Sequence, residues 1–263
     1  FLLQLSYVQP HVPLMADPEW ADHYKETNIP RGPSDNAAQA VAVWKDYLSW
    51  CGHHANAHLL DDDYVLAGAR QYYAMISLID ESIGQLIGQL DAQGLLENTW
   101  IVYSSDRGEM LGDHGLMAKF NFYKSSVQVP LIIRPAGGCT QATTDSLAAV
   151  VDIGPTLLDV AGAEPLDAVQ GRSLLPVIAS KSDVHDALFS EIQKQSRQAI
   201  APTFRAVRND RYRLTLESNT NTLCELFDLQ EDPEELNNRV SDSSLSALRS
   251  ELTQRLSAMV VSA

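Results

Sequence analysis

The sequence predicts an α/β fold, and three observations carry that prediction. A helical apolar stripe from Arg70 to Leu90 leads into a buried-strand pattern from Thr99 to Tyr103, a second from Val129 to Ile133, and a helix pattern from Ile153 to Val160. With 263 residues and 45% hydrophobic content, the chain can bury a sizeable core. Beyond Pro176 several short strand patterns replace the alternation. Residues 1–180 are therefore expected to form part of an α/β domain, and residues 181–263 a C-terminal subdomain with a small antiparallel sheet and a terminal helix.

Phe1 to Val8 is apolar with aromatic and β-branched members and ends at Pro10, which predicts a buried strand feeding a loop that carries His11. Pro18, Pro30, Gly32 and Pro33 punctuate a loop, and Asn36 can open a helix running to Trp50. His53, His54 and His58 follow in a polar turn. Adjacent histidines point apart on a helix and only the 54/58 pair shares a face, so they are read as surface or substrate-rim groups rather than metal ligands.

Within the long helix Tyr72, Ile76, Ile79, Ile83, Leu86 and Leu90 advance by four and three alternately, and Gly94 is the stop signal. Pro135 and Gly137-Gly138 close the second strand. Asp152 is expected to cap the helix at 153–160, with Pro155 tolerated in its first turn and Gly162 at its end. Leu188 to Ile192, Phe204 to Val207, Tyr212 to Leu216 and Cys224 to Leu229 read as strands separated by polar turns. Leu245, Leu248, Leu252, Leu256 and Met259 give the last helix one apolar stripe, with Asp242 or Ser243 as its cap.

A formal charge of -15 disfavours nucleic acid and anionic membranes as partners, since both require clustered cations. No run reaches the ~18 apolar residues of a membrane span. Phe1 to Leu5 is too short for a signal peptide and has no basic leader, so a cytoplasmic or periplasmic location is expected. Cys51, Cys139 and Cys224 are odd in number and widely spaced. They indicate neither a zinc knuckle nor a full disulfide framework and favour a reducing compartment, with a single bridge left open.

The stretch from Tyr103 to Lys119 packs carboxylates, a histidine and two cations into one Gly-rich turn after a strand. Asp106 falls just past the carboxyl end of that strand, where open α/β sheets place ligands, and is the first metal-ligand candidate. Gly112 and Gly115 imply a tight backbone path, so Glu109, Asp113 and His114 are read as turn-stabilising hydrogen-bond partners rather than catalysts.

Ser105-Asp106-Arg107-Gly108-Glu109-Met110-Leu111-Gly112-Asp113-His114-Gly115-Leu116, then Lys119, then Val129-Pro130-Leu131-Ile132-Ile133-Arg134, resembles the metal- and substrate-binding segment of the sulfatase family. That family includes phosphonate monoester hydrolases and choline sulfatases and shares the alkaline phosphatase type of fold. Gln9-Pro10-His11-Val12-Pro13-Leu14, the Val151 to Leu158 helix start, Gly171-Arg172-Ser173-Leu174, and Glu225 to Leu229 with Asp232-Pro233-Glu234-Glu235 and Asn237-Asn238 extend the resemblance along nearly the whole chain.

The resemblance implies a mixed sheet sandwiched between helices, and a metal-dependent sulfuric ester hydrolase acting on a small-molecule sulfate ester. It implies one divalent cation, Ca2+ first and Mg2+ or Mn2+ as alternatives. Asp106 would be a metal ligand, Lys119 would bridge the sulfate and the leaving oxygen, and His11 would donate a hydrogen bond to the ester and act as general acid. These residue types suit the chemistry, because fixed cations stabilise the charge that builds on the sulfate oxygens.

Two departures bear on function. Arg107 stands where the family usually has asparagine or histidine, and a guanidinium has no lone pair for a metal, so it either turns away or clamps an anion. No Cys-x-Pro-x-Arg or Ser-x-Pro-x-Arg motif, source of the family's formylglycine nucleophile, occurs in the sequence, and the paired aspartates of the family's first strand are missing. The chain is thus expected to be the C-terminal portion of a longer sulfatase, inactive alone. The alternatives are a phosphonate or phosphate ester hydrolase on the same fold, or a non-catalytic sulfatase-like anion-binding protein; a homo-oligomer is left open.

Overall fold

Asp17 starts the first helix, α1 (Pro18–Tyr24): its carboxylate accepts from the Glu19 N–H at 3.0 Å, and Pro18 occupies a first-turn position where no N–H is needed. The computed structural model of the chain describes residues 1–50, 62–193 and 203–261, so His53, His54, His58 and Cys51 lie outside the described residues. Asn36 precedes α2 (Ala37–Trp50), and α3 (Asp62–Ala92) starts eight residues before the apolar stripe does. Tyr24 of α1 packs on α3 through its hydroxyl, 2.7 Å from Ser77 Oγ, and its ring, 6.1 Å from that of Tyr73. No helix among the described residues is long and apolar enough to cross a membrane.

Next come β1 (Ile101–Ser104), the site loop, α4 (Lys124–Val127) and β2 (Leu131–Arg134). β1 and β2 pair antiparallel, from Ile101 opposite Arg134 to Ser104 opposite Leu131. The expected strand at Phe1 to Val8 does not form. A strand needs a neighbour for its N–H and C=O groups, none of the described strands pairs with this segment, and Phe1 is 87% exposed. The expected mixed sheet is likewise absent among the described residues, where every strand pair is antiparallel.

Asp152 corrects a second expectation. It ends a 3-10 turn in helical conformation, so its side chain cannot reach back over α5 (Ile153–Val160) as a cap. The fully buried carboxylate instead accepts from the N–H groups of Ala149 and Arg172 and from His185 Nε2 at 3.0 Å, pinning the Gly171-Arg172 loop to the helix start.

After α6 (Leu175–Ile178), a four-stranded antiparallel sheet runs in sequence order: β3 (Leu188–Ile192), β4 (Phe204–Arg208), β5 (Tyr212–Glu217) and β6 (Thr222–Asp228). Asp242 caps a short 3-10 turn by accepting from the Ser244 N–H, and α7 (Ser246–Val261) follows. Leu252 and Leu256 of α7 bury against Val207, Leu214 and Leu226, each large side chain contributing about 1.5–3 kcal/mol of hydrophobic stabilisation. The other face of the sheet offers Phe204 and Phe227 to Trp44 of α2 and to Met110, Leu116, Phe122 and Tyr123 of the site loop. That second core fastens the site loop to the C-terminal sheet.

Candidate active site

The loop between β1 and α4 follows an unusual backbone path. Leu111, His114, Ala118 and Phe120 all have positive φ, as do Gly112 and Gly115, and each such non-glycine residue costs about 1 kcal/mol or more. Hydrogen bonds close the loop on itself: Met110 N–H to Ala118 O at 2.8 Å and Gly112 N–H to Leu116 O at 2.9 Å. Glu109 is half-buried beside the backbone of Ala118 and Leu111. Burial raises its pKa above the ordinary glutamate value, and its Oε1 has no hydrogen-bond partner.

Asp113 accepts from Ser125 Oγ, and His114 Nδ1 donates to Asn36 Oδ1 at 2.8 Å. Burial raises the Asp113 pKa and lowers that of His114. Of the three residues read as turn-stabilising partners, Asp113 and His114 make side-chain hydrogen bonds that tie the turn to its surroundings, whereas Glu109 Oε1 has none.

The double inversion of φ at Ala118 and Phe120 turns Lys119 inward, where it is only 4% exposed. Its Nζ lies 3.2 Å from His11 Nε2, and His11 Nδ1 lies 2.7 Å from Val12 O. A carbonyl only accepts and an ammonium only donates, so Nδ1 carries the imidazole proton and Nε2 accepts from Lys119. Burial, then the nearby charge of Arg107, lowers the Lys119 pKa.

Asp106 lies elsewhere on this scale of burial, its side chain 81% exposed and its Oδ2 3.6 Å from Arg107 Nε. Arg107 also lines a cleft of roughly 860 Å³ between α3 and the site loop, with Tyr72, Tyr103, Glu109 and Ile76 in its walls. Ile76 belongs to the predicted helical stripe but is 40% exposed.

The sequence-predicted residues thus fall into two groups. His11 and Lys119 are in direct contact, Arg107 is close enough to act on Lys119 through its charge, and Asp106 stands at the solvent edge beside Arg107. A buried ammonium in contact with a histidine, and within electrostatic reach of a guanidinium, has the chemistry to attract a tetrahedral anion in an otherwise acidic chain. A divalent metal fits it poorly. Among the described residues no three His, Cys, Asp or Glu side chains are grouped to hold one, and Asp106 alone offers a single carboxylate already beside a cation.

Sequence reasoning assigned no part in the site to Asn36, Tyr123, Arg213, Glu225 or Glu235. Arg213 is buried between the rings of Tyr123 and Phe227, at 5.2 and 4.8 Å, and binds Glu235 Oε1 at 2.6 Å and Glu225 Oε2 at 2.8 Å. Glu225 Oε1 also accepts from Tyr123 Oη at 2.7 Å and Trp44 Nε1 at 3.1 Å. The available signal was a charged residue at inward positions of two apolar strands.

Comparison with known proteins gives the family. A sulfatase family model matches residues 1–163, and a model described as the C-terminal part of N-sulphoglucosamine sulphohydrolase matches residues 112–262. The chain belongs to the sulfatase family. Among its relatives is PehA, a multifunctional alkaline phosphatase superfamily protein of Trinickia caryophylli, 27% identical over 97% of this chain and 54% of its own length. The choline-sulfatase of Rhizobium meliloti is 30% identical over 90% of this chain and 45% of its own length. The solved phosphonate monoester hydrolase of Silicibacter pomeroyi superposes with a TM-score of 0.82 at 25% identity, over 97% of this chain and 54% of its own. The α/β, alkaline phosphatase-like class of the sulfatases therefore stands for this chain, which spans about half the length of the curated relatives it matches.

Proposed function

We propose that this sulfatase-family chain supplies the anion-holding part of a sulfuric ester hydrolase site, with a small-molecule sulfate ester as substrate. The observation that carries the reading is the buried Lys119 ammonium hydrogen-bonded to His11. Cleaving a sulfate ester puts charge on the leaving and non-bridging oxygens, and cations fixed in a water-poor pocket stabilise it without reorganising. Lys119 and Arg107 hold the anion, and His11 Nε2 orients the Lys119 ammonium by accepting its hydrogen bond.

In this reading Asp106 gives one ligand to a divalent cation, Ca2+ by family resemblance, whose other ligands come from outside the described residues. The formylglycine nucleophile of the family requires a Cys-x-Pro-x-Arg motif that these 263 residues do not contain.

Two rival readings each have an observation behind them. PehA and the phosphonate monoester hydrolase among the similar proteins favour a phosphonate or phosphate ester hydrolase on the same scaffold. Arg107 beside Asp106 favours a non-catalytic anion-binding protein.

Rates on an aryl sulfate, a phosphonate diester and a phosphate monoester separate them, measured on the Phe1–Ala263 chain and on the intact product isolated from its native cell. The expected result is sulfate binding without turnover by the chain alone, and preference for the sulfate ester in the intact product. Robust aryl sulfate turnover by the chain alone, or no turnover of any ester by the intact product, would overturn the reading.

A further inference from the structure

We propose that Glu235 is a positioning residue for Lys119, tying the end of the site loop to Arg213 in the C-terminal sheet. The inference rests on the reading of Lys119 as the anion-holding group. Lys119 sits between two residues of positive φ, Ala118 and Phe120, a path that persists only where its surroundings over-determine it. Four residues past Phe120, the Lys124 N–H donates to Glu235 Oε2 at 2.7 Å, and Glu235 Oε1 takes Arg213 Nε at 2.6 Å. On the other side of Lys119, His114 donates to Asn36 Oδ1, and Asn36 Nδ2 donates to the Glu235 backbone carbonyl at 3.0 Å. One residue therefore holds both ends of the loop.

Glu235 is only 2% exposed and itself has a φ of 55°. Asp232 fixes this turn by accepting from the N–H groups of Leu236 and Asn237. Mere packing does not require such a design, since an apolar residue of the same volume is often as stabilising as a buried ion pair. What an apolar residue cannot do is bridge a guanidinium and a backbone N–H at once, and so set the register of loop against sheet.

The test is NMR of the chain carrying isotope-labelled lysine, with the Lys119 signal assigned by its loss in Lys119→Arg and followed through a pH titration. Glu235→Ala is expected to move the Lys119 titration upward, toward ordinary lysine behaviour, because a released loop exposes the amine. Lys124→Pro removes the donated hydrogen at a first-turn position that suits proline, after a Tyr123 whose ψ is already 151°. It is expected to produce the same movement. Lys124→Ala loses only the exposed contact to Glu234 and is expected to leave the signal in place.

Leu252→Ala, in the separate core beneath α7, is the control for lost stability alone. An unchanged Lys119 titration in both Glu235→Ala and Lys124→Pro, or an equal movement in Leu252→Ala, overturns the proposal. No ester enters the measurement, so absence of ester turnover by the intact product would sink the functional reading without deciding this one.

Discussion

Lys119 Nζ donates to His11 Nε2 across 3.2 Å, joining two loops that lie 108 residues apart in the sequence. The bond gives the ammonium one partner, and the rest of its environment is protein rather than water. Because burial lowers its pKa in the folded state, the charged amine opposes folding. That penalty is full below the lowered folded value and fades as pH rises toward the ordinary lysine value. Lys119→Met is therefore expected to stabilise the chain at neutral pH by about 1 kcal/mol while weakening sulfate binding at least ~10-fold. Denaturant melts and calorimetric sulfate titrations check both; a less stable variant with unchanged sulfate affinity would refute the assignment.

Arg213 is flanked by two buried carboxylates and two aromatic rings, with three of its hydrogen bonds going to Glu235, Glu225 and Thr215. Its guanidinium stays charged under all ordinary conditions, since the two carboxylates outweigh its burial. Arg213→Met leaves Glu225 and Glu235 buried and uncompensated and is expected to cost about 3–5 kcal/mol. Adding Glu225→Gln and Glu235→Gln to that variant is expected to recover part of the loss. Urea unfolding of the two variants measures it, and a single variant as stable as the wild type would show that the carboxylates find other partners.

Much of the architecture was legible because local pattern and tertiary role coincide. The β3 to β6 strands and α7 form where the strand and stripe patterns place them, and Leu252 and Leu256 of the α7 stripe are buried against the sheet. Phe1 to Val8 misled because a strand is a paired object, and the sequence of one segment says nothing about its partner. Asp152 misled because a carboxylate before a helix can serve a distant loop as well as its own first turn. In the site, His11, Lys119, Asp106 and Arg107 were visible through motif resemblance, but their distances were not. The Arg213, Glu225 and Glu235 network stayed hidden because its members come from separate segments and meet only after the sheet folds.

Asp106 tests how this chain treats a cation. Its carboxylate is open to solvent and its neighbour within 3.6 Å is Arg107, whereas calcium sites use six to eight oxygens. Titration of Ca2+ into the chain is expected to show no binding tighter than ~1 mM, and added chelator no change in melting temperature. Arg107→Asn replaces a repelling cation with a carbonyl oxygen and is expected to strengthen whatever weak binding exists. Submillimolar Ca2+ affinity that disappears in Asp106→Asn would show that the chain holds a metal with its own residues.

Gly108 marks where the site loop passes closest to α4. Its N–H donates to Ser126 O at 2.8 Å, and a Cβ at this position would stand 2.0 Å from Ser125 O, a backbone atom that cannot swing away. Gly108→Ala must therefore push the loop off α4, breaking that hydrogen bond and loosening the Asp113 contact to Ser125. A loss of about 2–4 kcal/mol is expected. Gly84 on α3 has nothing within 4 Å of its added Cβ, and Gly84→Ala in a helix interior is expected to stabilise by about 0.5–1 kcal/mol instead. Thermal melts of the two variants check the opposite signs, and a neutral Gly108→Ala would mean that the loop and α4 do not meet as closely as the backbone places them.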